Sequence, residues 1–152
     1  MTTSPPDAAV DLGVVDGLVQ LSFVVQSLLG RVAARHDLST VQARLLGVLR
    51  DREIGMLALA RILELEKSSV TGLVDRAERR GLVQRVPVPG NRRAVHVTLS
   101  PHGHALAAAV AAEVAADVRG LIASISGAQQ QQLSRLASRL ITADAAARSI
   151  AL

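Results

Sequence analysis

The chain has no cysteine, and only one of its 152 residues, Phe23, is aromatic. The first absence excludes disulfides, thiolate metal sites and thiol-based redox sensing. The second demands a core of Leu, Val, Ile and Ala, and argues against single-strand and RNA modules that stack bases on rings. Duplex recognition needs no rings. Residues 1–6 lack a basic segment, and the apolar stretch behind them is broken by Asp11, Asp16 and Gln20. That reads as neither a signal peptide nor a membrane span, so a cytoplasmic location is expected. There is no nucleophile elbow, no phosphate-cradling glycine loop and no suitably placed carboxylate pair. Neither enzymatic activity nor a cofactor is expected. His102 and His104, two residues apart, would splay by about 200° on a helix, so no metal site is expected either.

What the chain does have is a lopsided charge. Between Glu66 and Arg93, seven cations (Lys67, Arg76, Arg79, Arg80, Arg85, Arg92 and Arg93) face three carboxylates (Glu66, Asp75 and Glu78). The segment's net +4 equals that of the whole chain, so the rest is neutral. A neutral body with one basic segment is the electrostatic footprint of a nucleic-acid-binding protein.

Periodicity places that segment in a fold. Residues 1–9, with Pro5-Pro6, read as a flexible tail. Val14, Leu18, Leu21, Val25, Leu28 and Val32 alternate spacings of four and three, a heptad-like stripe on a long helix ending near Arg35. Its length favours a partner helix over an internal core. Ser39 and Gln42 form a capping box that opens a second helix, with Val41, Leu45, Leu46, Val48 and Leu49 inward. After a polar break at residues 51–55, a short helix over 56–63 presents Leu57, Ala60 and Leu63. A fourth helix runs from Lys67 to about Arg80 on Val70, Leu73, Val74 and Ala77, and Gly81 stops it. Glu78, Arg79 and Arg80 face solvent. Strands are expected over 82–86 and 94–99, joined by a loop of turn residues, Pro87 to Asn91. Ser100-Pro101 opens a fifth helix reaching about Ser124. A second capping box, Ser126 with Gln129, starts the last.

The order ααααββαα gives a mainly α fold with a small β-hairpin, in which helices two to four and the hairpin make a winged helix-turn-helix. A reading helix must enter the major groove, so its exposed face needs small donors and acceptors. Lys67, Ser68, Ser69, Thr71, Gly72 and Arg76 supply that face, and its first turns also present N–H groups to phosphate. Arg92 and Arg93, on a thin turn, can reach the minor groove. These eight residues are the candidate DNA contacts. Capping by the hydroxyl residues is compatible with phosphate contact.

At this point the chain resembles the MarR family of bacterial winged helix-turn-helix transcription regulators, over nearly its whole length. The residues that carry the likeness are Val70-Thr-Gly-Leu-Val-Asp-Arg76, Arg80-Gly-Leu-Val83 with Arg85, Asn91-Arg-Arg93, and Val97-Thr-Leu-Ser-Pro-His-Gly103. The resemblance implies a homodimer, with residues 10–37 and 101–148 as dimerisation helices and 38–100 as the DNA-binding lobe. It implies a pseudo-palindromic double-stranded operator, Arg93 in the minor groove, and a repressor released by a small-molecule effector. By the same analogy, Arg35 and His36 lie where an effector pocket opens. The alternatives are a constitutive or architectural DNA-binding protein without effector, and a winged-helix protein–protein adaptor. Four residues depart from the family pattern. Asn91 replaces an Asp that often pairs with a reading-helix arginine such as Arg76. Glu66 replaces a Ser or Thr cap, Glu64 a frequent turn glycine, and Gly72 a larger reading residue.

Overall fold

The computed structural model describes residues 10–149; the expected tail, 1–9, lies outside them. Its elements are α1 (Gly13–Arg35), α2 (Thr40–Leu49), β1 (Ile54–Gly55), α3 (Met56–Leu63), α4 (Lys67–Arg79), β2 (Val83–Val88), β3 (Asn91–Leu99), α5 (Pro101–Ile122) and α6 (Gly127–Ala147). The fold is a winged helix-turn-helix flanked by long helices. Both capping boxes form as expected, Ser39 accepting from the Gln42 N–H and Ser126 from that of Gln129.

Two details differ from the sequence reading. The hairpin is a three-stranded antiparallel sheet of order β1-β3-β2, because the polar break hides a two-residue strand pairing Ile54 with Val97 and Gly55 with His96. Leu57 is 65% exposed, and α3 instead buries Leu59, Ala60 and Leu63.

The core is aliphatic and lies mainly in the lobe. Leu45, Leu46 and Leu49 of α2, Leu59 and Leu63 of α3, and Val70, Leu73, Val74 and Ala77 of α4 meet Leu82 of the turn before β2 and Val83, Val97 and Leu99 of the sheet. Leu28, Val32 and Ala33 of α1, with Ala107 and Val110 of α5, close it from the other side. Each fully buried Leu or Val contributes about 1.5–3 kcal/mol of apolar transfer.

The junction between lobe and α5 is set by contact rather than by propensity. Ser100 donates its hydroxyl to the Gly81 carbonyl at 2.5 Å and accepts from the Gly103 N–H at 2.9 Å. A Cβ at Gly103 would lie 1.9 Å from the Leu82 carbonyl oxygen, so only glycine lets α5 start this close to the sheet.

The outer helices behave differently. On α1 the heptad stripe is buried only at its C-terminal end, whereas Val14, Val15, Leu18, Val19, Phe23 and Val24 are exposed. By length and composition α1 is apolar enough to cross a membrane. On α6 only Ala145 is buried, and Leu133, Leu136, Leu140 and Ile141 face outward.

Candidate nucleic-acid interface

Helix α4 is anchored by its apolar stripe, which forces the polar residues between onto the opposite face. Lys67, Ser68, Ser69, Thr71 and Arg76 are exposed there, with Gly72 half-buried among them. Thr71 Oγ1 donates to the Lys67 carbonyl at 2.9 Å, leaving its lone pairs free to accept. Glu66 occupies the N-cap position without making a side-chain cap. The first N–H groups of α4 therefore remain open toward solvent at the positive end of the helix dipole. Gly72 does leave a gap, and Arg76 fills it: a Cβ at Gly72 would lie 3.2 Å from Arg76 Nη1. Asn91 does not engage Arg76; its Oδ1 accepts from the Arg93 N–H at 3.1 Å.

The C-terminal end of α4 is tied down by three arginine-mediated bonds. Arg85 of β2 donates to Asp75 at 2.6 Å and also engages Glu78. The Asp75 bond, opposed by partial burial and reinforced by the Glu78 charge, raises the Arg85 pKa above its ordinary value. Two of the segment's three carboxylates are thereby consumed in holding strand to helix, which leaves the outer face of α4 cationic. Arg80, expected to be a plain solvated residue, is exposed but donates to the Asp37 carbonyl at 2.8 Å, fixing the end of α4 to the turn after α1. Gly81, at φ +68°, completes the helix stop, with the Leu82 N–H bonded back to the Ala77 carbonyl.

The wing has a shape that the sequence did not reveal. Its strands run further than expected and leave Pro89-Gly90 as the turn, with Gly90 at φ +81°. Val95 pairs with Pro87, and Asn91 pairs with Val88. Three β3 residues, Arg92, Arg93 and Ala94, thus fall opposite the single Pro87–Val88 step, where the register shifts. Pro87 has no N–H to offer the ladder, and a bulge is where a sheet tolerates that. Arg93 is exposed on this bulge; Arg92 shares its backbone, and its side chain lies outside the described residues.

Arg35 and His36 lie elsewhere, at the end of α1. Arg35 bonds Glu113 at 2.9 Å and Asp117 at 3.2 Å, while His36 Nε2 is 2.7 Å from the other Glu113 oxygen. The His36 hydrogen bond, followed by weaker help from Arg35, holds the Glu113 carboxyl below its ordinary value of 4.5. These groups staple α1 to α5. A separate cavity of about 230 Å³ opens between α1, α2 and α5, lined by Leu29, Leu46, Val110 and Val114 with Thr40 and Arg44 as its polar members.

Residues 36–94, which hold α2 to α4 and most of the wing, match the model of the MarR family. The chain is also 29% identical over 140 residues to the HTH-type transcriptional regulator PecS of Dickeya dadantii, covering 89% of this chain and 84% of that protein. Over residues 36–94 the chain is similar to the MarR family. A second relative is also a regulator by name: the chain is 26% identical to the homoprotocatechuate degradative operon repressor of Escherichia coli, over 82% of this chain and 84% of that protein. The fold agrees. Wild-type apo MarR from E. coli superposes with a TM-score of 0.72 at 22% identity, covering 86% of this chain and 98% of that one. NadR, solved with 4-hydroxyphenylacetate, gives 0.70 at 21% identity over 92% and 97%.

Proposed function

We propose that this protein is a MarR-family regulator, a homodimeric repressor that binds a pseudo-palindromic duplex through α4 and the wing and is released by a small ligand. The observation that carries the DNA reading is the division of α4. Every large apolar side chain on it is buried, and the outer face holds Lys67, Ser68, Ser69, Thr71, Gly72 and Arg76 beside the bulge bearing Arg92 and Arg93. Hydroxyls, one lysine and one arginine suit base edges and phosphates in the major groove. Arginines on a thin wing suit the adjacent minor groove.

The dimer reading rests on the outer helices. The chain's only aromatic residue, Phe23, is 58% exposed on α1. With Val19 and Val24 on the same helix and the exposed Leu133, Leu136 and Leu140 of α6, it leaves both outer helices with large apolar side chains facing solvent, the kind of surface that marks an interface. A second copy covers that surface and sets two reading helices about one DNA turn apart. The same pairing accounts for the apolar length of α1 without a membrane, consistent with a cytoplasmic protein.

The effector reading rests on the cavity between α1, α2 and α5. Its aliphatic wall with one hydroxyl and one guanidinium suits a single small ring carrying an anionic or hydrogen-bonding group. A ligand there sits between the dimer helices and the lobe, where a small rotation alters the spacing of the readers. Mobility shift on the DNA upstream of the chain's own gene tests the proposal. Wild type is expected to shift an inverted repeat and Arg93→Ala to shift it weakly. Absence of any shift by wild type, or an unchanged shift by the variant, contradicts it. A screen of phenolic acids for release of the bound duplex tests the effector.

A further inference from the structure

The turn between α3 and α4 is held from a second direction, by the far end of the chain. Glu64 occupies the left-handed slot that closes α3, at φ 57°, a place where glycine is usual. A side chain there is unfavourable for the backbone, so its retention points to a use. The Glu64 carboxylate pairs with Arg148, 84 residues away and immediately after α6. Arg148 is steadied by Asp144 one turn earlier, at 3.3 Å. Ala145, beside that pair, is the one buried residue of α6. The Arg148 hydrogen bond, with its charge next, holds the Glu64 carboxyl below the usual carboxylate value, and Arg44 of α2 adds a smaller pull. Helix α6, held at its start by Gln130 to the Ile122 and Ile125 carbonyls, thus touches down at its far end on the turn of the helix-turn-helix.

We propose that Glu64 and Arg148 form a strut through which the C-terminal helix positions the reading helix on DNA, with Glu64 a positioning residue and not a DNA contact. The inference rests on the DNA-binding reading above. Lys67, the first residue of α4, stands only three residues after Glu64, and Glu66 between them makes no side-chain cap. The entry angle of α4 is therefore not fixed by its own capping. The buried stripe of α4 fixes which face it presents, and the tie on Glu64 acts on the turn just before its first residues, Lys67, Ser68 and Ser69.

The strut can be separated from simple electrostatics because the two predict opposite signs. A carboxylate near phosphates repels them, so its removal alone should tighten binding. Loss of a strut should weaken it. The experiment measures the affinity of the full chain for its upstream duplex by fluorescence anisotropy over a salt series, beside thermal melting and sedimentation. Glu64→Gln is expected to weaken binding by about two- to fivefold with the dimer intact, the scale of an exposed ion pair. Arg148→Ala is expected to do the same without altering the salt slope, since no phosphate contact is lost. Glu64→Gly should raise the melting temperature by easing the backbone while still weakening binding. Exchange of the charges, Glu64→Arg with Arg148→Glu, should recover wild-type affinity within about twofold. Wild-type or tighter binding by Glu64→Gln overturns the strut, as does a salt slope flattened by about 0.9 in Arg148→Ala, the mark of a lost phosphate contact. A wild-type chain that binds no duplex defeats the DNA reading itself, and the strut falls with it.

Discussion

The lobe and the helical arms spend their aliphatic residues in opposite ways. In the lobe, Leu45, Leu46, Leu49, Leu59, Leu63, Leu73 and Leu82 are all fully buried. On the N-terminal half of α1 and along α6, residues of the same kind stand exposed, Val14 at 79%. The difference teaches where the chain is complete on its own. The lobe closes its core within one copy, so its polar face is free to be a recognition surface. The arms close nothing by themselves, so their apolar face is free to be an interface. Polar ties join the two: Ser100 to Gly81, Arg80 to the Asp37 carbonyl, and Glu64 to Arg148.

The contrast breaks most severely from inside the lobe. Leu45→Ala removes a side chain with no exposed surface, and should cost about 2–5 kcal/mol, read as a lowered urea midpoint. Gly103→Ala pushes a Cβ into the Leu82 carbonyl and should cost about 1–3 kcal/mol or more by the same measurement. A neutral result at Gly103 would mean that α5 can shift without loss, and that the junction is not fixed by contact. On the arms the sign of the contrast reverses. Phe23→Asp should leave the lobe folded and weaken self-association by about thirtyfold, the scale of one interface hot spot, in sedimentation velocity. An unaltered dimer would place the interface elsewhere.

The smallest expected effect is in acid, at the staple between α1 and α5. Glu113 has its pKa lowered, chiefly by the His36 hydrogen bond, so its contribution is present above the ordinary carboxylate value of 4.5 and is lost as pH falls through its folded pKa. Glu64 follows the same sign through Arg148. Stability followed from pH ~6 down to ~3 should therefore fall less steeply for Glu113→Gln than for wild type. Parallel curves would show that the α1–α5 staple carries no measurable stability.

How much of this was legible in the chain depends on how local each feature is. The capping boxes at Ser39 and Ser126, the stop at Gly81 and the start at Ser100-Pro101 involve neighbours within a few residues, and the sequence displays them directly. The exposed polar face of α4 was legible for the same reason, because its buried stripe spans a full helix. β1 was not, since a two-residue strand is defined by its pairing with Val97 and His96 and by nothing in its own pattern. α3 is so short that assigning one residue to the wrong side exposes Leu57 in place of burying it. Arg80 and Arg85 looked alike as cations, and only their partners, the Asp37 carbonyl and the Asp75 carboxylate, separate them. The wing bulge was hidden because a register shift belongs to two strands at once, although Pro87 was a signal for it. Glu64 stood out as a departure from the family pattern, but its partner lies at the opposite end of the chain.

The proposed division, a polar face of α4 that reads DNA and apolar arms that pair with a second copy, is tested most directly by the salt dependence of duplex binding. Anisotropy titrations of wild type and Arg93→Ala on the upstream inverted repeat give both affinity and the number of phosphate-linked cations released. We predict one dimer per repeat, a steep inverse dependence on salt for wild type, and an affinity for Arg93→Ala reduced by about 1–3 kcal/mol with a shallower slope. A flat salt dependence, or a variant that matches wild type in both affinity and slope, would contradict the account.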